Sequence, residues 1–318
     1  MEPNSPVGGT VMAITALTTL IYLYVILIIL KNRDLRAASF YMLNVAMGII
    51  DIGNIWSTYL FQRIPETGFL KDEFYLGLGP YSFVAMMCTN GFAFFNNSQK
   101  YFLLAIGLNR FTAVVLPSWH KNLWTSKNCF LLIMVITTFN LIPSIVLEIV
   151  NRSYYVDDEV DNVHCIEDNI SIQMAALTYN IYLSIGSAVA ACLIYGIIIF
   201  CLFSNRRKFK GSNTSTKHAN SAELKLTLSV LLHSVLLTVD GCTAALIFVG
   251  GHAFFMPINY FVQDLLSGCN PYLLIAFSSE LRKKVFWWKK PEATQVVSGM
   301  HNTNPSKISI VTARTTPR

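Results

Sequence analysis

Charge is scarce in this chain. Asp, Glu, Lys and Arg make up 13% of its 318 residues, against ~25% in a soluble globular domain. Apolar residues make up 53%, and the mean hydropathy is +0.47. So few charges cannot clothe a water-exposed domain of this size. Catalytic signatures are missing too. There is no HExxH, no GxSxG and no glycine-rich phosphate loop, which leaves metalloprotease, α/β-hydrolase and nucleotide-dependent chemistry without a motif. The seven cysteines, Cys88, Cys129, Cys165, Cys192, Cys201, Cys242 and Cys269, form no CxxC pair and no metal-ligand spacing. An enzyme is not expected, and no cofactor or metal is implied. The net charge of +6 and pI near 8.9 do not indicate a nucleic-acid binder, because the basic residues gather at the ends of apolar runs.

Those runs are the dominant feature. A bilayer core takes ~20 apolar residues per helix, and seven stretches qualify: Val7–Leu30, Tyr41–Phe61, Tyr81–Val115, Cys129–Val150, Ile172–Phe203, Leu224–Gly250 and Phe254–Phe277. The fold class expected is therefore an all-α membrane protein, a bundle of seven transmembrane helices. With the N-terminus outside, residues 31–40, 116–128, 204–223 and 278–318 face the cytoplasm and hold 18 of the 24 Lys and Arg. Cytoplasmic loops carry this excess because such loops resist translocation. Arg63, Lys71 and Arg152 are the basic residues left in outer segments, while Asp157, Asp158, Glu159, Asp161, Glu167 and Asp168 crowd one outer loop. The start MEPNSP has no basic residue, and Lys31, Arg33 and Arg36 follow the first run. That pattern is a retained first helix, not a cleaved signal.

An outward orientation puts the outer loops in oxidising space. Cys88 lies 22 residues before Arg110, or ~33 Å of helix, so a Cys88–Cys165 disulfide is feasible; two free thiols are the alternative. Asn151 and Asn169 begin glycosylation sequons in the same outer loop.

Polar residues within the runs need partners, since a charge in hydrocarbon faces protein or a water-filled cavity. Asp51, Lys100, Glu148, Asp240 and Asp264 are the charges to place. Glu148 is expected at a solvated helix end. Lys100 lies ten residues outward from Arg110, ~15 Å away, too deep for its stem to reach the surface. Asp51 has a similar depth in the second run, so a buried Lys100–Asp51 pair is expected; Asp264 is the alternative partner. Asn90, Asn96, Tyr179, Asn180, Asp240, Tyr260, Gln263 and Asp264 are a candidate pocket in the outer half, suited to a small ligand with a donor or positive group. Hydrogen bonding between helices is the competing use of these side chains.

The most specific stretch is "LNRFTAVVLPSWHKNLWT", Leu108 to Thr125. Arg110 stands at the inner end of the third helix, Pro117 ends that helix, and His120, Lys121 and Trp124 follow. Together with seven helices in this order, the stretch resembles the nematode serpentine chemoreceptors of the Srg superfamily, especially the Srv and Srg families, over residues ~7–290. A second segment, "CNPYLLIAFSSELRKKVFWWKK", resembles the end of helix seven in rhodopsin-like receptors, where an Asn-Pro pair, here Asn270 and Pro271, precedes a short amphipathic helix. In that helix Arg282, Lys283 and Lys284 meet headgroups, and Val285, Phe286, Trp287 and Trp288 meet the interface.

The resemblance implies a G-protein-coupled chemosensory receptor in the plasma membrane, at a sensory cilium in such families. It implies a receptor domain over residues 1–290; residues 291–318, with scattered Ser and Thr and little apolar content, are expected to be a disordered cytoplasmic tail. Its partners are a small-molecule ligand in the outer half of the bundle, a heterotrimeric G protein at Asn109, Arg110 and Pro117, and the lipid bilayer. Asp51, Lys100, Asn270 and Pro271 are the expected buried charge network. The sequence also departs from rhodopsin-like receptors: Asn109, not an acid, precedes Arg110, so Glu223 on helix six is the candidate to hold Arg110 at rest. Arg206, Arg207, Lys208 and Lys210 touch either the G protein or the anionic leaflet. The rival class is a seven-helix ligand-gated channel or transporter, which ligand-evoked current without a G protein would favour.

Overall fold

The computed structural model describes residues 6–79, 81–157, 163–208, 214–249 and 252–286, without the side chains of 6–11, 205–208, 214–226, 229, 248–249, 252–254 and 256. Residues through Val285 form one compact unit. Its elements are α1 (Pro6–Lys31), α2 (Arg33–Ala37), α3 (Ser39–Thr58), α4 (Phe83–Met86), α5 (Phe92–Val115), α6 (Pro117–Leu123), α7 (Ser126–Val150), β1 (Ser153–Asp157), β2 (Val163–Glu167), α8 (Ile170–Lys208), α9 (Thr214–Val249), α10 (His252–Gly268), α11 (Asn270–Phe277) and α12 (Ser279–Val285).

The seven spans are α1, α3, α4 continuing into α5, α7, α8, α9, and α10 continuing into α11. Among the described residues, four helical stretches are long and apolar enough to cross a bilayer on those criteria alone: Met12–Lys31, Ser126–Val150, Ile170–Ser204 and Val230–Ile247. The remaining spans, α3, α5 and α10–α11, carry the polar residues that the bundle shields. At 39 residues, α8 is ~58 Å long, so it extends well past a ~30 Å hydrocarbon core.

Local chemistry sets the breaks. Leu116 leaves the helical region (φ −128°, ψ 58°) before Pro117, because a proline crowds the residue before it out of the α conformation. Pro117 then opens α6 at a position where no N–H is needed. The last span is interrupted at Gly268–Cys269, and Pro271 sits in the first turn of α11. Thr125 caps α7 by accepting from the Asn128 amide at 3.3 Å. Single π-helical turns lie at Tyr59–Arg63, Lys71–Tyr75 and Met87–Gly91, all at the end of the bundle that carries the β1–β2 hairpin.

The helix α5 is central and packs on α3, α7, α8 and α9. Phe102, Leu103 and Ile106 on α5 meet Leu43 and Met47 of α3 and Tyr195 and Ile198 of α8 in one buried core. Apolar side chains also face outward: Leu27, Phe130 and Phe200 are 64, 64 and 73% exposed. In a seven-span protein these faces meet lipid, while backbone groups are satisfied within each helix.

The acidic loop between α7 and α8 is not wholly irregular. Its flanks pair as an antiparallel hairpin, with Ser153 opposite Glu167 and Tyr155 opposite Cys165. Asp158, Glu159 and Asp161 lie outside the described residues, as do Lys210, Trp287, Trp288 and the segment 291–318. The side chains of Arg206, Arg207, Lys208 and Glu223 do as well. The short helix after the last span is described as α12, with Leu281 and Val285 buried and Arg282, Lys283 and Lys284 exposed.

Candidate functional site

A cavity of about 770 Å³ opens beneath the hairpin, walled by α5, α7, α8, α9 and α10. That volume is in the range of small-molecule pockets. Its apolar wall includes Phe92, Phe139, Leu147 and Ile181. Of the residues expected to line a pocket, Asn96, Tyr179, Asn180, Asp240, Tyr260 and Gln263 do so. Asn90 and Asp264 do not. Asn90 is buried, and its Nδ2 donates to Glu148 Oε2 at 2.8 Å. Asp264 Oδ2 accepts from Arg63 Nη1 at 2.8 Å and from the Tyr59 hydroxyl at 3.2 Å. The Arg63 guanidinium lies 4.5 and 4.7 Å from the Tyr59 and Tyr260 ring centroids. This cluster fastens the hairpin ends of the second and seventh spans together.

Lys100 is where the structure departs most from the expected pairing. Its Nζ donates to Asn180 Oδ1 at 2.7 Å, and the side chain lines the cavity. Neither Asp51 nor Asp264 touches it. The reason is angular: successive helix residues point ~100° apart, and it is Gln99 that faces α3. Gln99 Nε2 donates to Asp51 Oδ1 at 2.6 Å, while the Tyr22 hydroxyl and Asn270 Nδ2 reach Oδ2 at 2.6 and 3.4 Å. Ser267 completes this centre by accepting from Asn54 Nδ2 at 2.9 Å and, through its carbonyl, from Tyr22 at 2.6 Å. Asp51 therefore joins the first, second, third and seventh spans, with no cation in contact among the described residues. Pro271 is buried beside Asn270 at the start of α11.

Glu148 also differs from expectation. It is half-buried at the end of α7 and has protein partners as well as water within reach. Its carboxylate accepts from Asn90, from the Ser153 amide at 3.3 Å and from the Ser153 hydroxyl at 3.0 Å, seating the base of the hairpin. Asn151 is 1% exposed. Its Nδ2 donates to Glu167, and its Oδ1 accepts from the Asn169 amide at 2.6 Å. An oligosaccharide needs that Nδ2 free, so glycosylation at Asn151 is incompatible with this fold, whereas Asn169 is exposed. Cys88 and Cys165 lie against one another as thiols, with Cys165 Sγ 3.6 Å from the Ala85 carbonyl oxygen.

Glu167 lies on the hairpin and lines the cavity. Burial, then the nearby Glu148 charge, push its carboxyl up to about 7. The folded hairpin therefore holds a proton that an opened one releases at an ordinary carboxylate pKa of ~4.3. Its contribution to stability is complete below that value and is lost as pH rises through about 7. Amide exchange at residues 153–157 should speed up several-fold between pH 5 and 8, after correction for intrinsic exchange. Glu167→Gln should remove that excess. An unchanged profile in the variant would show that another group governs the hairpin.

A second cavity, about 390 Å³, lies at the opposite end of α5, around Asn109 and Arg110. Arg110 is 7% exposed, and its guanidinium sits 3.6 Å from the Phe40 ring centroid. Asn109 Nδ2 donates to Ser39 Oγ at 2.8 Å, fixing α5 to the start of α3. Thr112, which sequence reasoning passed over, gathers the rest of the motif. Trp124 Nε1 donates to its hydroxyl at 2.7 Å, and His120 Nδ1 lies 3.0 Å from the same oxygen. Across the cavity the Tyr41 hydroxyl bonds Ser278 Oγ at 2.8 Å, and Glu280 lines the rim.

No curated protein matches the chain. A family model described as the serpentine type 7TM GPCR chemoreceptor Srv matches residues 11–290. That match spans every helix of the bundle, both cavities and the Arg110 motif, and the chain therefore belongs to the Srv family of serpentine seven-transmembrane chemoreceptors.

Proposed function

We propose that the hairpin end faces the outside of the plasma membrane, that a small molecule occupies the 770 Å³ cavity, and that a heterotrimeric G protein engages the Arg110 end in the cytosol. One observation carries this reading: α5 places Asn96 and Lys100 in one cavity and Arg110 in the other. Arg110 lies ten positions after Lys100, or ~15 Å of stiff helix, and Gln99 on the same helix bonds the Asp51 centre. A ligand that prefers one position of α5 shifts the population of arrangements at Arg110. The basic loops at the Arg110 end agree with this orientation. By family resemblance the site of action is a sensory cilium.

The orientation also gives the hairpin end its chemistry. In oxidising space the adjacent Cys88 and Cys165 thiols join as a disulfide, tying the hairpin to the third span. Asn169 is the glycosylated sequon. Pro117 sets the direction of α6, whose exposed face, with Arg110 and Asn109 behind it, meets the G protein.

The test is GTP loading of a heterotrimeric G protein by the purified receptor in nanodiscs, screened with pooled volatile and water-soluble small molecules. At least one pool should raise exchange, and Ala244→Trp, which fills the cavity from α9, should abolish the response. A response that survives Ala244→Trp would remove the ligand from this cavity.

A further inference from the structure

The cavity floor carries two opposite charges that do not neutralise each other by contact. Lys100 from α5 and Asp240 from α9 both line it, and they are 1 and 3% exposed. Each feels the other's charge. Yet the two form no ion pair at contact distance, unlike Arg63 with Asp264 or Lys71 with Asp157. Lys100 spends one N–H on Asn180 Oδ1, and an ammonium has three to give. Asp240 Oδ1 has no hydrogen-bond partner, although the Gln263 side chain lies beside the carboxylate. Gln263 Oε1 and Asn97 Oδ1, also in the cavity wall, are likewise buried without partners. Buried polar groups are rarely left so. Here spare donors on Lys100 share the cavity with spare acceptors on Asn97, Asp240 and Gln263.

Taking the cavity as the ligand site proposed above, we infer that it is built for a neutral molecule with an apolar body and one head group that both accepts and donates, a hydroxyl or a primary carboxamide. The head accepts from the spare N–H groups of Lys100 and donates to Asp240 Oδ1. The apolar body lies against Phe92, Phe139, Leu147 and Ile181. Ionic heads fit worse. A carboxylate gains Lys100 but is repelled by Asp240, and an ammonium gains Asp240 but is repelled by Lys100. Both also lose their hydration, a large cost in an apolar cavity. Glu66 and Glu167 also line the cavity, but at its hairpin end, on the loop after the second span and on β2, where Glu66 accepts from the Tyr260 hydroxyl at 2.9 Å and Glu167 accepts from Asn151. The charges at the floor are Lys100 and Asp240.

The experiment measures thermal stability of the purified receptor in nanodiscs with probes of equal chain length: 1-octanol, octanamide, octyl methyl ether, octylammonium and octanoate. Octanol and octanamide should raise Tm by ~3–5 °C near saturation, with the ether and both ions giving less than half of that shift. Two variants should reverse the order in opposite senses. Asp240→Asn should make octanoate the best probe, and Lys100→Met should make octylammonium the best. Wild type ranking either ion first, or no probe shifting Tm, overturns the inference, and this holds even where the variants fail to fold. Ala244→Trp separates this failure from failure of the cavity reading. Shifts abolished by Ala244→Trp but led by an ion reject only the neutral head group. Shifts unaffected by Ala244→Trp reject the cavity itself.

Discussion

Replacing Arg110 with leucine should leave the receptor folded and at the cell surface, and should reduce ligand-evoked G-protein activation by at least tenfold. The first half rests on how Arg110 packs, and the second on the coupling role proposed for it. Arg110 lies at the end of α5 with its guanidinium over the Phe40 ring at 3.6 Å, and an arginine over an aromatic face contributes ~0.5–2 kcal/mol. A leucine keeps most of the apolar contact, so folding loses little. What disappears is the one cation on α5 placed to meet a partner in the second cavity. The same geometry makes a second, opposite prediction for its partner. Asn109 stands where an acid would otherwise pair with the arginine, so the Phe40 face is one of the contacts that hold Arg110 at rest. Phe40→Leu should weaken that hold by ~1 kcal/mol, and ligand-free signalling should rise about fivefold. Equal basal activity in Phe40→Leu and wild type would show that the ring does not restrain Arg110.

Gly53→Val should be the most damaging single substitution in the bundle. A Cβ at Gly53 would lie 2.2 Å from Phe95 Cε1 and 2.6 Å from two further ring atoms. That is far inside van der Waals contact, and the obstacle is a ring rather than a flexible chain end. Here α3 and α5 are in close contact, one turn of α5 from the Asp51–Gln99 bond. Overpacking of this kind costs ~1–3 kcal/mol or more, and spreading the two helices would also break the buried bonds to Asp51. Losing a partner of a buried charge adds ~3 kcal/mol. Surface expression and the monodisperse peak in size-exclusion chromatography should fall by about tenfold. Phe95→Ala in the same chain should recover most of both. Full expression of Gly53→Val alone would mean that α3 and α5 are not packed at this distance.

The depth of each polar residue was legible in the sequence; its direction was not. Hydropathy marks where helices lie, because a bilayer imposes one length on every span, and the seven runs correspond to the seven spans. Depth alone brought Lys100 and Asp51 level. Whether Gln99 or Lys100 meets Asp51 depends on helix rotation, which is set by packing of α5 against α3 and α8 and has no local sequence signature. Tyr22 and Ser267, the other contacts at the Asp51 centre, are ordinary residues in apolar runs and give no warning of their role. The hairpin was missed for a different reason. Its strands are five residues each and sit in an acidic loop, and they are held by distant partners: Glu148 and Asn151 beneath them and the buried packing of Tyr155 and Val163 on Tyr75, Ala85 and Cys88. Asn151 reads as a sequon but is a buried strut, because a motif of three residues says nothing about burial. Arg110 and Trp124 were found because proline and tryptophan beside a lone arginine form a rare pattern. Thr112, the residue that joins them, was not found, since a threonine that bonds its own helix backbone is common.

The central claim is that the hairpin cavity opens outside the cell and the Arg110 cavity inside. Two exposed positions test it directly: Val156→Cys on the hairpin and Lys121→Cys on α6. On intact cells a membrane-impermeant maleimide should label Val156→Cys above the wild-type background, and should label Lys121→Cys only after permeabilisation. The reverse pattern, with Lys121→Cys labelled from outside, would contradict the account, because Arg110 would then face away from any G protein.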